Sequence, residues 1–287
     1  MIDFIKNETP IVICDIGASP IEKTNFIDDL FNNTHSKLVG FEPNVDEYNK
    51  LEKNNPKKTF FNFAIGDGTI KTLNICASPG MSSVLEPDID YLKKFHGFEE
   101  WSKIIKTTSV DTKKLDDINE NFDFIKIDVQ GYESEIIKYG RNKINESLVI
   151  QLETSPIPLY KNEKAFASVI NQLEDLGFVL HMFNKINTKC FKPMIVGGNI
   201  LLRGSQKIPL DGLHHLFQLD CVLIKNFRTI NNYTEEELKK LILIMHYSFK
   251  SYDLVDYLIN ILDSKNEGKL IDRYRNLAPL LKIQKFY

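Results

Sequence analysis

Apolar residues in this chain fall in short runs separated by helical patterns, and several of the runs stop at a carboxylate. Residues 11–15 end in Asp15 and residues 37–42 end in Glu42, with a helical stretch over about 21–31 between them. Parallel strands need a crossover of this size, and their carboxyl ends face a ligand crevice. The pattern continues with a helix over about 45–54 and a third strand over 59–65, closed by the tight turn Gly66-Asp67-Gly68. A further strand over 72–77 reads as hairpinned to the third. Residues 107–110 are strand-like, and 122–128 form a buried strand ending in Asp128. A helix over 132–139 and an apolar strand over 147–153, ending in Glu153, follow. An amphipathic helix over 163–176 stops at Gly177, a good C-terminal cap. Residues 178–183, 199–202 and 218–224 read as closing strands.

This alternation predicts an α/β fold with a doubly wound sheet. The late strands, with no long helices between them, predict an antiparallel edge. After Arg228 the pattern changes. Thr234 stands as an N-cap before a helix, and helical periodicity returns over 252–262 and 270–282, punctuated by Gly268 and Pro279. The expected organisation is a core domain over 1–228, with an insertion at about 78–106, and a C-terminal helical appendage over 229–287. That appendage either docks on the core or builds a homodimer interface.

The totals narrow the function classes. A chain of 287 residues, 43% hydrophobic and 26% charged, has ordinary globular composition. A net charge of -3 gives no global field for nucleic acid or an anionic membrane. No window approaches the roughly 20 apolar residues that span a bilayer. Four widely spaced cysteines, Cys14, Cys76, Cys190 and Cys221, show no zinc spacing and point to a reducing, cytoplasmic setting.

The turn Asp15-Ile16-Gly17-Ala18-Ser19-Pro20 holds one glycine. A dinucleotide fingerprint needs three, so that backbone can approach a pyrophosphate. A nicotinamide oxidoreductase is therefore disfavoured. An acid at the end of the second strand can accept both hydroxyls of a ribose. A phosphate-free nucleoside with a cationic centre, S-adenosylmethionine (SAM), fits this pattern. Glu42 would take the ribose, Asp15 would attract the ammonium of the amino-acid tail directly or through water, and Gly17 would let the backbone come close.

Taken in order, Asp15-Ile16-Gly17-Ala18, Phe41-Glu42-Pro43, Ala64-Ile65-Gly66-Asp67 and the run from Asp123 to Glu133 resemble the FkbM family of SAM-dependent methyltransferases. The resemblance covers about residues 11–225. Its most specific piece is Lys126-Ile127-Asp128-Val129-Gln130-Gly131-Tyr132-Glu133, preceded by the stretch over 109–117. The resemblance implies a Rossmann-like class I methyltransferase fold and methyl transfer to an oxygen of a sugar or natural product. By position, Asp15, Gly17 and Ala18 match the first cofactor motif, and Glu42 with Pro43 matches the ribose-binding segment. Gly66 and Asp67 match the adenine-side turn, where Asp67 could accept from the exocyclic amine. Ser82 and Ser83 resemble a small-hydroxyl element near cofactor and acceptor. Asp128 falls beside the transferring methyl. Ser19, Ile21 and Gln130 stand where the family commonly has Asn, Gly and Glu.

For the chemistry, a hydroxyl acceptor benefits from a base. Asp128 is the first candidate and Glu153 the second. Lys126, inside an apolar strand, is expected to pair with Asp15 or Glu133. Tyr91, Phe95, Phe98 and Trp101 form either an apolar wall for a sugar ring or a local core under the insertion. His96 reads as a surface histidine rather than a base on a lid. No residues are assigned to a metal. The expected function is O-methylation of a sugar or glycan-precursor hydroxyl. The alternative is a non-catalytic scaffold acting through its C-terminal helices.

Overall fold

Among the described residues seven strands form the central sheet, and their chain order sets the site. In the computed structural model β1 (Ile11–Ile16) is followed by α1 (Asn25–Asn33), β2 (Ser36–Phe41) and β3 (Lys58–Phe61). A two-stranded ribbon, β4 (Lys71–Cys76) and β5 (Ile104–Val110), precedes β6 (Phe124–Ile127), α2 (Glu133–Tyr139) and β7 (Val149–Thr154). Then come α3 (Phe166–Glu174), β8 (Phe178–Lys189), β9 (His215–Lys225), α4 (Glu235–Tyr247), α5 (Tyr252–Asn266) and α6 (Leu270–Leu277). The structure describes residues 2–19, 25–51, 56–192, 195–196, 199–200, 215–266 and 269–277. The start of the expected helix over 21–31 (with Ile21), the end of that over 45–54, residues 201–202, Gly268, Pro279 and residues 278–282 lie outside them.

The sheet order is β8-β9-β7-β6-β1-β2-β3. All neighbours from β7 to β3 pair in parallel, and β9 runs antiparallel to both β7 and β8. The expected reversal is therefore supplied by one strand inserted beside the edge. β4 pairs antiparallel with β5, not with the third strand. The expected single strand over 59–65 is two pieces, β3 and Ala64–Ile65, and the second pairs with Thr112–Lys113. Asn62 explains the break, because its side-chain amide donates to the carbonyls of Glu42 (2.8 Å) and Pro43 (3.2 Å).

Strands buried on both faces need a helical layer on each. On one face Cys14, Ile16, Ile125, Ile127 and Leu152 pack against Ile136 and Ile137 of α2 and Val169 and Leu173 of α3. On the other, Ile11, Ile13, Phe124, Val149 and Val222 pack against Leu30 of α1, Leu241 and Ile244 of α4, and Leu258 and Leu262 of α5. Each such side chain contributes about 1.5–3 kcal/mol when fully buried. Of the two placements open to the C-terminal helices, the structure shows docking, and they share one core with β1. α4 starts at a capping box in which Thr234 and Glu237 satisfy each other's backbone N–H groups. It is buried nearly all round, from Leu238 to Tyr247, as befits a helix held between the sheet and α5.

The insertion carries its own small core. Leu92, Phe95 and Phe98 are buried with Leu159, Tyr160 and Phe217. Phe95 and Phe98 are thus packing residues. The Tyr91 hydroxyl lies 2.7 Å from Nε2 of His215, beside the Phe95 ring.

Candidate functional site

β1 ends between β2 and β6, and the chain leaves it in a turn that only glycine tolerates. Gly17 has φ +83°, and a Cβ placed there would lie 1.9 Å from the carbonyl oxygen of Asp128. The amides of Gly17 and Ala18 both donate to the Phe41 carbonyl (3.0 and 3.1 Å), and Asp128 N donates to Ile16 O (3.0 Å). The glycine therefore serves a close approach between the ends of β1 and β6.

An open cavity, about 940 Å³ counting the solvent at its mouth, lies over these ends. Gly17 and Ser19 line it from β1, Glu42 and Pro43 from β2, and Asp128 and Gln130 from β6. Phe41, Ile65, Leu73, Val84 and Val129 give it apolar walls, and Ser82 and Ser83 border it from the insertion. Among the expected site residues, Gly17, Glu42, Pro43, Ser82, Ser83 and Asp128 come together here. Asp15, Ala18, Gly66, Asp67 and Glu153 are not among the lining residues.

The displaced residues have other partners. Asp15 is buried and pairs with Lys126 Nζ at 3.2 Å, one of the two partners expected for that lysine. Ala18 is buried beside Gly40. Gly66 sits against Thr112 and Tyr132. Asp67 accepts from Lys71 Nζ (2.6 Å), Thr69 Oγ1 (2.7 Å) and Thr69 N (3.0 Å). Partial burial opposes its charge, yet these bonds hold its carboxyl well below the usual range. Glu153 accepts from the side-chain amides of Gln130 and Gln218, both at 2.7 Å.

At the β2 end, Glu42 is 6% exposed and accepts from the Asn44 amide at 2.7 Å. Burial pushes its carboxyl up to about 7; the Asn44 bond lowers it, Glu47 and Asp15 raise it, and Lys126 lowers it. Glu47 also lines the cavity. One of its oxygens accepts from Lys50 (2.7 Å), while Oε2 is buried without a hydrogen-bond partner. Sequence reasoning missed Glu47, because an acid on a short helix reads as a solvated face.

At the β6 end, Lys126 lies 3.5 Å from Asp128 Oδ2, and Gln130 Nε2 donates to Asp128 Oδ1 at 3.0 Å. Ser83 Oγ donates to the Gln130 carbonyl (2.8 Å) and accepts from Leu85 N (3.0 Å), tying the insertion to this loop. Ser82 Oγ accepts from Cys76 N at 3.1 Å. His96 is half-buried and is not among the lining residues. Among the described residues no group of three or more His, Cys, Asp or Glu is placed to hold a metal ion. The arrangement offers acceptors at both ends of an apolar slot, which suits an elongated ligand with hydroxyl or ammonium donors at its ends.

Among solved structures the chain is similar to magnesium protoporphyrin IX methyltransferase (ChlM) from Synechocystis PCC 6803 with bound SAM. The TM-score is 0.38 at 8% identity, over 76% of this chain and 71% of that one. It is similar to Methyltransferase FkbM from Methylobacillus flagellatus KT with TM-score 0.36 and 14% identity, over 75% of this chain and 43% of that one. In sequence it is 26% identical over 146 residues to the 2-O-methyltransferase NoeI of Sinorhizobium fredii (strain NBRC 101917 / NGR234), covering 49% of this chain and 52% of the relative. The chain thus spans about half the length of the curated relative it matches. Residues 15–180, more than half of the chain, match the family described as Methyltransferase FkbM domain, and the protein belongs to the FkbM methyltransferase family, which uses SAM.

Proposed function

We propose that this chain is a SAM-dependent O-methyltransferase whose acceptor is a hydroxyl of a sugar or a sugar-containing glycan precursor. The observation that carries the reading is the cavity over the Gly17 turn, with Glu42 at the end of one neighbouring strand and Asp128 at the end of the other. The residues present fit the cofactor. The cavity is lined by apolar walls with a few convergent polar groups, as small-molecule sites are. The orphaned Glu47 Oε2 is an acceptor that a nucleoside donor would satisfy.

In this reading Glu42 holds the ribose, with Pro43 and Gly17 shaping the slot around it. Asp128 and Ser82 face the reacting end. When bound, SAM supplies a methyl group already activated by its sulfonium. The protein's task is then alignment, worth on the order of 7–11 kcal/mol in well-oriented systems. Asp128, on the cavity wall, takes the acceptor's proton or orients its hydroxyl. Glu153 stands behind it, linked through Gln130. The name of the relative NoeI, a 2-O-methyltransferase, supports oxygen as the acceptor atom. The cysteines are free, which supports a cytoplasmic setting, and no described helix is long and apolar enough to cross a membrane. The scaffold alternative is not favoured, since the apolar faces of α4 and α5 are committed to the sheet.

Calorimetry with SAM tests the first step. Micromolar binding that is lost in Glu42→Ala is expected. No heat at millimolar SAM with the folded wild type would sink the reading. Transfer of radiolabelled methyl from SAM to a panel of sugars and nucleotide sugars then tests the acceptor class, and transfer to RNA or to none of the sugars would overturn that part.

A further inference from the structure

One side-chain nitrogen stands between the two candidate carboxylates. Gln130 Nε2 lies 3.0 Å from Asp128 Oδ1 and 2.7 Å from Glu153 Oε1. We propose that Gln130 is the positioning residue of this site: its amide spends one hydrogen on each carboxylate and so fixes the face that Asp128 presents to the cavity. The proposal rests on the cofactor reading above for its functional readout, and on geometry alone for its structural one.

The amide's orientation follows from its neighbours. Ionised carboxylates only accept, so the nitrogen must face them. The carbonyl Oε1 then faces the Tyr160 hydroxyl at 3.2 Å, whose one proton is shared between it and the Met81 carbonyl. Burial pushes the Tyr160 phenol well above its usual value, so it keeps its proton. That hydroxyl also lies 3.1 Å from the Met81 carbonyl, anchoring the arrangement to the insertion.

The backbone is built for the same end. Gln130 has φ +58°, and Gly131 follows at φ +99°. A non-glycine residue in the left-handed region is strained and persists where surrounding structure holds it there. Here the turn folds the Gln130 side chain back over Asp128, two residues earlier, and Ser83 holds the Gln130 carbonyl at 2.8 Å.

The donor matters because two carboxylates sharing a site repel each other. Two charge-assisted hydrogen bonds from one neutral amide offset that repulsion without adding a charge. The remaining groups around the pair are Lys126 beside Asp128, Asp15 behind that lysine, Gln218 on Glu153, and Asp220 opposite Glu153 in the β9 register. Glu133 and Tyr160 complete the charge surroundings. Lys126 reaches Asp128 and Gln218 reaches Glu153, and the Gln130 amide reaches both members of the pair.

The test is a double-mutant cycle read by calorimetry with SAM, comparing wild type, Gln130→Asn, Asp128→Asn and the double variant. Asn tolerates the left-handed backbone but is one methylene too short to bridge. The expected result is a roughly tenfold weaker SAM affinity for Gln130→Asn alone, about the loss of one charge-assisted bond. In the Asp128→Asn background the same change should cost about twofold or less, because Gln130 acts through Asp128. Equal losses in both backgrounds, or no loss in either, overturn the proposal. Gln130→Glu, which keeps the side-chain length but replaces the donor by a third acceptor, should lose at least as much and covers the case in which the Asn variant does not fold. If the wild type binds no SAM, the methyltransferase reading falls separately. The side-chain amide protons of Gln130, followed by NMR hydrogen exchange, then decide. Slow exchange that becomes fast in Glu153→Gln supports the bridge, and fast exchange in the wild type overturns it.

Discussion

At the amino ends of the strands, Lys240 of α4 reaches Asp123 and lies 3.0 Å from both of its oxygens, while Asp123 Oδ2 also accepts from Val12 N at 2.8 Å. At the carboxyl ends, Lys126 stands between Asp15 at 3.2 Å and Asp128 at 3.5 Å. Both lysines are buried, 9% and 4% exposed. The first pair is closed, its partners are spent on each other, and it ties the C-terminal helices to β1 and β6. The second is shared and longer, and one partner opens onto the cavity. A buried ion pair stitches a fold when its geometry is complete. It becomes part of a site when one member keeps a face toward space.

The comparison breaks most visibly at Lys240. Lys240→Ala leaves Asp123 buried without its counter-charge and should cost about 3–5 kcal/mol in urea unfolding, with SAM affinity of the folded fraction unchanged. Gly17→Ala should act at the other end. The added methyl must push the Asp128 backbone away, and displacement of about 1 Å at a site costs on the order of a hundredfold in rate, read here as methyl transfer from SAM. Lys126→Met should cost about tenfold in SAM affinity, since Asp15 and Asp128 then lose the counter-charge they share. If it alters stability but not binding, the two lysines are equivalent and the contrast fails.

The smaller effects sharpen the same contrast. Glu42 must be ionised to accept two hydroxyls, and burial pushes it up to about 7. SAM affinity should therefore be level above pH 7 and fall as the pH drops through that value. The loss is up to about tenfold per unit, until the carboxyl of the complex itself protonates. Glu42→Gln should flatten the profile. Glu47→Gln should weaken SAM about fivefold, roughly one hydrogen bond's worth, through loss of the acceptor at Oε2.

Much of this site was legible in the chain, and the exceptions share a cause. Gly17, Glu42 and Asp128 were readable because a strand that stops at a small turn or a carboxylate announces the edge of a sheet. The pairing of Lys126 with Asp15 was readable because a buried charge in an apolar strand demands a partner. The reach of Gln130 was hidden, since it depends on a left-handed backbone angle that its side chain does not encode. The break at Asn62 was hidden in an aromatic run, Phe60 to Phe63, that has no period to lose. Asp67 satisfied the motif's spacing, yet its oxygens are occupied by Lys71 and Thr69. The amphipathic tail said that something covers it, but periodicity cannot name the cover, which proved to be the chain's own sheet.

That cover has a consequence for how the protein is made. Residues Ile11 and Ile13 emerge from the ribosome well before the α4 and α5 side chains that bury them, which are more than 220 residues behind. At roughly 5–20 residues per second, β1 waits on the order of ten seconds or more for its partner. During that time the face formed by Phe124, Val149 and Val222 is also synthesised and left open. Nascent chains halted at Arg228 should therefore bind a hydrophobic dye and recruit chaperones, whereas chains extended beyond α5 should not. Helices α4 and α5, made long after β1, act as the latch of a sheet whose first strand waits for them.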